Sequence, residues 1–331
     1  MGRRGRAVRA VLGVLLLVGV GGGSWFYLQV DPPRAPGRVV TVTVRPGDSL
    51  STIGETLARD GVLASPLAFR IDAVLFGAPT VLPGTYEVPQ GSSFGAIFKI
   101  LGAPRVTVSA GETLGEVATS VSAVMGRAYG AALRVAAAQA LARHPLGATR
   151  SIEGLIGPGT YAITSGEPAA ALLGAMRRSF EAEAAAAGLS AASRVQGLDA
   201  YQLVTVASIV QKEGYYPRNM PRVARVIFNR LALGGPLQMD ATVLYALGRD
   251  GGRVTPAMLQ TRSPYNTYLV NGLTPTPICT VSPEALAATL HAPPGAWRYF
   301  TVIDAAGTEA FADTFAQQLA NERLAAARGL P

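Results

Sequence analysis

The hydrophobic pattern divides the chain into three regimes. From Ala10 to Val30 about 21 residues pass without a charge, enough to span a bilayer core as a helix. A Pro-rich linker, 31–38, follows (Pro32, Pro33, Pro36). Next come short apolar stretches with strand character, each leading through a turn into apolar positions at helical spacing. Beyond them the pattern is helical. Ala131 to Arg143 and Ala169 to Ala187 are Ala-rich with Leu and Met at helix spacing, and predict packing helices. Between these, Ile152 to Tyr161 reads as a loop running into a short strand.

The strand-turn-helix pattern occurs three times, at Val44 to Ile53, Val88 to Ile97 and Val108 to Val117. Each copy carries a turn glycine (Gly47, Gly91, Gly111) and a Ser or Thr placed to cap a helix (Ser49, Ser93, Thr113). The pattern resembles LysM-like modules, which bind N-acetylglucosamine-containing glycans. The alternative is a small α+β spacer, because the three turns offer no aromatic platform for a sugar.

Asp199 to Gly214 predicts one helix, with Asp199 as N-cap and Gly214 as the stop. Leu203, Val206, Val210 and Glu213 follow one apolar stripe, so the stripe ends in a carboxylate. Desolvation and the negative end of the helix dipole both raise the pKa of such a group. A Glu that holds its proton near neutral pH can donate it to a glycosidic oxygen. The alternative is a stripe-ending Glu that pairs with Arg218 or Arg225. Gln211, roughly 200° around the helix, is expected to face elsewhere. Asp240 reads as the N-cap of a helix Ala241 to Leu247 that Gly248 stops, or as a second acid.

Composition narrows the chemistry. Hydrophobic residues make up 49% and charged residues 15%, enough apolar surface to bury a core and too little charge for a disordered chain. The net charge of +8 includes Arg3, Arg4, Arg6 and Arg9, which precede the first apolar run. The positive-inside rule then puts the N-terminus in the cytoplasm and everything after Asp31 outside. Trp25, Phe26 and Tyr27 suit the outer interface of an uncleaved anchor, whereas Gly19 to Ser24 would be the cleavage region of a signal peptide. There is no basic run for nucleic acid. The two histidines, His144 and His291, have no metal-ligand spacing, and Cys279 is the only cysteine. No metal or cofactor is expected.

Four blocks in order, Ala207 to Glu213, Val223 to Leu231, Leu237 to Tyr245 and Ser263 to Tyr268, resemble the YceG-like family of endolytic murein transglycosylases. The resemblance implies an α+β protein with an N-terminal transmembrane helix (10–30) behind a short cytoplasmic N-terminus (1–9). A LysM-like α+β region (39–120), a helical connection (121–150) and a mixed α+β catalytic domain (151–331) follow. It implies a single-pass protein of the cell membrane that acts outside on nascent peptidoglycan strands, with penicillin-binding synthases as partners. Lytic chemistry would use one carboxylic acid to cleave the MurNAc-GlcNAc bond and leave a 1,6-anhydro end. The family's catalytic Glu falls on Glu213. Gln238, Tyr265, Asn266 and Thr267, in turn-flanked loops, suit contacts to sugar hydroxyl and acetamido groups. Asn229 and Arg225, four apart on one helix face, would bind substrate or orient Glu213. The sequence departs from the family pattern at Gln211, where a Glu is usual, and at Gln318, in place of a His. It also departs at Thr308 to Phe311, which replaces Gly-His-x-Phe, and at Gly157 to Tyr161. Two rivals remain: a hydrolysing muramidase that uses Glu213 with Asp240, and a non-catalytic glycan-binding scaffold.

Overall fold

The computed structural model describes residues 21–33, 35–140, 146, 150–163, 166–214 and 216–330. The basic N-terminus, the first half of the Ala10 to Val30 run and His144 lie outside them. Residues 21–30 are helical (α1). Among the described residues no helix is long and apolar enough to cross a membrane. The protein is α+β, with many helices and three two-stranded sheets among the described residues. The chain divides into two compact units, 1–104 with 162–166, and 105–161 with 167–331.

In the first unit, β1 (Val39–Val44) pairs antiparallel with β2 (Gly84–Pro89), Val42 opposite Tyr86 and Val40 opposite Val88. Alternate residues point inward, as the period of a half-buried strand requires. Helices α2 (Leu50–Arg59), α3 (Pro66–Phe76) and α4 (Phe94–Leu101) complete the unit. Its core gathers Val42, Leu57, Phe69, Tyr86, Phe94 and Ile97, and Phe26 and Val30 of α1 pack against it.

The three strand-turn-helix copies form as the sequence predicts, the third as β3 (Arg105–Val108) and α5 (Leu114–Met125) in the second unit. Ser49, Ser93 and Thr113 each accept a hydrogen bond from the backbone N–H three residues on, which satisfies one orphan donor of the helix start. The turn glycine Gly111 has φ +93°, a conformation that a Cβ would strain.

The second unit continues with α6 (Arg127–Gln139), β4 (Gly159–Ala162), which pairs with β3, and α7 (Ala169–Ala186). At its centre lies α8 (Ala200–Glu213), packed by α9 (Met220–Ala232), α10 (Asp240–Ala246) and α11 (Pro283–Leu290). A hairpin, β5 (Tyr299–Val302) with β6 (Glu309–Ala312), and α12 (Phe315–Ala327) end it. The cap of α8 is as predicted: Asp199 and Gln202 form a reciprocal capping box. The stripe is not. Every residue from Leu203 to Val210 is buried, so beyond its first turn, where Gln202 is exposed, α8 is a core helix covered on all sides. Its polar members are satisfied internally: Thr205 donates to the Tyr201 carbonyl, and Ser208 donates to the Thr205 carbonyl and accepts from Ile278 N–H.

Candidate active site

Burying α8 beyond its first turn leaves its carbonyl end to meet solvent on the far side, and Glu213 is the last residue there. Gly214 is the C-cap of the helix, and nothing larger fits there: a Cβ would lie 2.8 Å from Met220 Cγ and 3.0 Å from the Val210 carbonyl. Glu213 therefore lines a cleft of about 650 Å³. One wall is the β3–α5 turn from Ser109 to Thr113, and the other is the start of α10 with the segment Arg249 to Gly252. The turn is fixed from behind, since Gly111 N–H donates to the Thr280 carbonyl and Thr280 N–H to the Glu112 carbonyl.

The Glu213 carboxyl does two structural things at once. Its Oε1 accepts from Ala241 N–H at 3.0 Å, and α10 has no side-chain cap of its own. Glu213 thus supplies the acceptor that the first turn of α10 otherwise lacks. The residue keeps part of its surface in the cleft, but the carboxyl itself is closely surrounded by protein. Burial raises its pKa to about 7; the Ala241 N–H opposes this, the Asp240 charge adds to it and Arg230 lowers it. Arg230 is itself desolvated, and spends its donors on the Arg298 and Leu237 carbonyls. The pairing of Glu213 with Arg218 or Arg225 does not form: Arg218 donates to the Ala306 carbonyl, and Arg225 to those of Ala292 and Pro293.

Two sequence expectations are corrected here. Asp240 is not the N-cap of α10 but its first helical residue, and its Oδ1 accepts from Tyr268 O–H at 2.6 Å. Gln211 does not face away: it lines the same cleft, because the cleft wraps around the end of the helix. Its Oε1 accepts from Ser282 N–H at 3.0 Å, at the start of α11.

None of the six residues expected to contact sugar lines the 650 Å³ cleft, and each makes hydrogen bonds within the protein. Asn266 is fully buried, donates to the Leu259 and Thr261 carbonyls and accepts from Tyr268 N–H. Thr267 Oγ1 meets Thr242 Oγ1 and accepts from Met239 N–H. Gln238, at φ +52°, donates its N–H to the Thr267 carbonyl, and the Tyr265 hydroxyl meets Thr276 Oγ1. Asn229 donates to the Gly295 and Trp297 carbonyls, beside the Arg225 contacts to Ala292 and Pro293.

Other groups at the site carried weaker sequence signals. Lys212 and Asp250 form a 2.5 Å ion pair, and both line the cleft. Glu153, from the loop before β4, accepts from Leu114 N–H at 2.8 Å and from the Tyr245 hydroxyl at 3.3 Å. Burial raises its pKa to about 7, against those two hydrogen bonds. Glu309 opens β6 and is 7% exposed, and its Oε2 has no hydrogen-bond partner among the described residues. Burial raises Glu309 to about 7; Asn219 opposes, the Glu213 charge adds to the rise and Arg218 lowers it. Its hairpin is tied to the segment after Glu213 by Asn219 donating to the Gly307 carbonyl and Arg218 to that of Ala306.

The raised Glu153 predicts a stability effect of definite sign. Its folded pKa of about 7 lies above the ordinary 4.5, so the folded chain holds a proton that the unfolded chain has released between those values. Stability is greatest below that window and is lost as pH rises through about 7. Glu153→Gln should flatten this slope by on the order of 2 kcal/mol, measured as urea stability at acid and alkaline pH. Parallel slopes in variant and parent would remove Glu153 from the account.

A model of the YceG-like family matches residues 42–324. The endolytic murein transglycosylase of Bacillus subtilis (strain 168) is 26% identical over 309 residues, which cover 84% of this chain and 84% of that one. The endolytic murein transglycosylase of Streptococcus pneumoniae (strain D39) is 27% identical over 290 residues, 77% of this chain; the match spans 52% of the pneumococcal protein. In fold, the chain is similar to the crystal structure of a yceG-like protein from Listeria monocytogenes, with a TM-score of 0.56 and 24% identity over 86% of this chain and 99% of that one.

Proposed function

The chain belongs to the YceG-like family, and on that premise we propose that it is an endolytic peptidoglycan lytic transglycosylase with Glu213 as its acid and base. The observation that carries the proposal is a single carboxyl, with its pKa raised to about 7, on the wall of a cleft large enough for sugar rings. Protonated Glu213 donates its proton to the leaving glycosidic oxygen as the bond from the muramyl C1 breaks. The resulting carboxylate then takes the proton of the C6 hydroxyl of the same muramyl residue as that oxygen bonds to C1. The carboxyl ends as it began, no water is consumed, and the product carries a 1,6-anhydro end. The Ala241 N–H, which hydrogen-bonds Oε1, favours the carboxylate while it exists.

The hydrolytic rival draws on Asp240, which lines the same cleft. An inverting or retaining hydrolase needs its second carboxylate free to act on water or on the sugar. Asp240 instead receives the Tyr268 hydroxyl. Mass spectrometry of digested peptidoglycan separates the readings. Anhydro ends support the lyase, reducing ends the hydrolase, and an absence of products the scaffold. We place the substrate outside the cell membrane, with the Ala10 to Val30 run as an uncleaved anchor. On this reading the LysM-like region, 39–120, contacts glycan.

Glu309 bears on the same chemistry. Two buried acids that feel each other's charge release their protons in steps that belong to the pair. Glu309→Gln removes the like charge facing Glu213. The alkaline limb of the pH–rate profile should then move to lower pH by at least about half a unit, since a nearby anion raises an acid's pKa. An unmoved limb with an unchanged rate would leave Glu309 a packing residue.

A further inference from the structure

The exposed apolar surface of the first unit is concentrated on α3. Leu67, Ile71, Val74 and Leu75 recur at the spacing of one helix face, and Phe76 extends the surface at the helix end. Val74 is 83% exposed, Phe76 74% and Leu75 65%, so these side chains are almost as open as on a free helix. Leu82 is exposed a few residues on. The opposite face, Ala68, Phe69 and Ala73, packs into the core, and Phe69 meets the rings of Phe94 and Phe98. The helix thus has two apolar faces and one core to bury them in. Scattered exposed apolar residues are ordinary, but a contiguous stripe is not.

The N-terminal segment indicates what covers the stripe. The uncharged Ala10 to Val30 run continues into α1, and α1 does not lead away from the first unit on a tether. Phe26 and Val30 pack against its core, and Leu28 and Gln29 share a pocket with Gly61, Val62, Leu63 and Ala64. Those residues end two positions before α3, which begins at Pro66. A bilayer that holds the uncharged run therefore lies within a few residues of the α3 start. Of the two charged residues of α3, Asp72 is buried and Arg70 is exposed, which suits an anionic headgroup; Arg70 donates to Ser51 at 3.1 Å. Leucine, valine and phenylalanine on one face, with a basic residue at its border, fit the boundary between headgroups and acyl chains.

We infer that the Leu67–Ile71–Val74–Leu75–Phe76 face of α3 seats in the outer surface of the bilayer, so that the first unit lies on the membrane rather than standing off it. The inference rests on the anchor reading given above. It gives the first unit a role in setting the distance between membrane and glycan that needs no sugar binding.

Site-directed quenching in vesicles tests it. The only native cysteine, Cys279, is buried, so a cysteine placed by Leu75→Cys can be labelled alone with a nitroxide, and Glu55→Cys on α2 serves as the exposed polar reference. The full chain is reconstituted into phosphatidylethanolamine–phosphatidylglycerol vesicles. The label at 75 should be reached by oxygen dissolved in the lipid at least severalfold more readily than by a water-soluble nickel chelate, and the label at 55 should show the reverse. Equal access of the chelate to both labels, in protein that floats with the vesicles and resists high salt, overturns this inference alone. Protein that does not float overturns the anchor reading with it. A label at 75 shielded from both quenchers in proportion to protein density would assign the face to a second copy and overturn the lipid assignment.

Discussion

Glu213→Gln is expected to lower the release of peptidoglycan fragments by roughly a hundredfold or more, the scale of a lost general acid and base. The fold should survive. Glutamine keeps an oxygen for the Ala241 N–H, so the first turn of α10 retains its acceptor. Its amide can also face the Asp240 carboxylate that the ionised parent repels. Because the buried acid is gone, the variant should be no less stable than the parent above neutral pH. In the parent, activity should fall as pH rises through about 7, because donation requires the protonated form. Fragment analysis, thermal unfolding and a pH–rate profile read the three consequences. Retained activity in Glu213→Gln, with loss in Asp240→Asn, would transfer the chemistry to the second carboxylate.

The second large effect lies in a residue that carries no proton. Asn266 occupies a fully buried site where its amide bonds the Leu259 and Thr261 carbonyls and its oxygen receives Tyr268 N–H. Asn266→Ala strands three half-buried backbone groups and leaves a void in a fully buried site, and should cost about 3 kcal/mol in urea unfolding. Activity should fall with it, because Tyr268 is the residue that bonds Asp240 beside Glu213. A variant of parental stability whose KM alone rises would instead make Asn266 a sugar contact, as the sequence suggests.

Those two residues illustrate what a sequence can carry. The position of Glu213 was legible because local rules fix it: Asp199 and Gln202 start the helix, Gly214 stops it, and the heptad-like stripe ends on the acid. The burial of α8 beyond its first turn was not, because Thr205 and Ser208 look like surface residues until Ile278 and the helix carbonyls are there to satisfy them. The orientation of Gln211 failed for a geometric reason, since a helical wheel describes a cylinder's side and the cleft lies at its end. The polar residues of the Ser263 to Tyr268 block were legible as special, but the sequence did not show the hydrogen bonds they make within the protein. Turn-rich polar sequence serves equally to meet a ligand or to pin a loop, and only their partners tell the two apart. Glu309 stood out only as a departure from a family pattern, because a hairpin far along the chain brings it near Glu213.

The contact between Glu213 Oε1 and Ala241 N–H also constrains how such a chain can drift over generations. An acid whose strength is set partly by another helix's first turn ties its chemistry to every residue that shapes that turn. Met239, Thr242 and Thr267, joined by buried hydrogen bonds behind the amide, are then under the same selection as the acid itself. Neutral variation should be scarce there and free on the outer face of α12. The heritable unit of reactivity in this protein is a folded corner, inherited whole, rather than one glutamate.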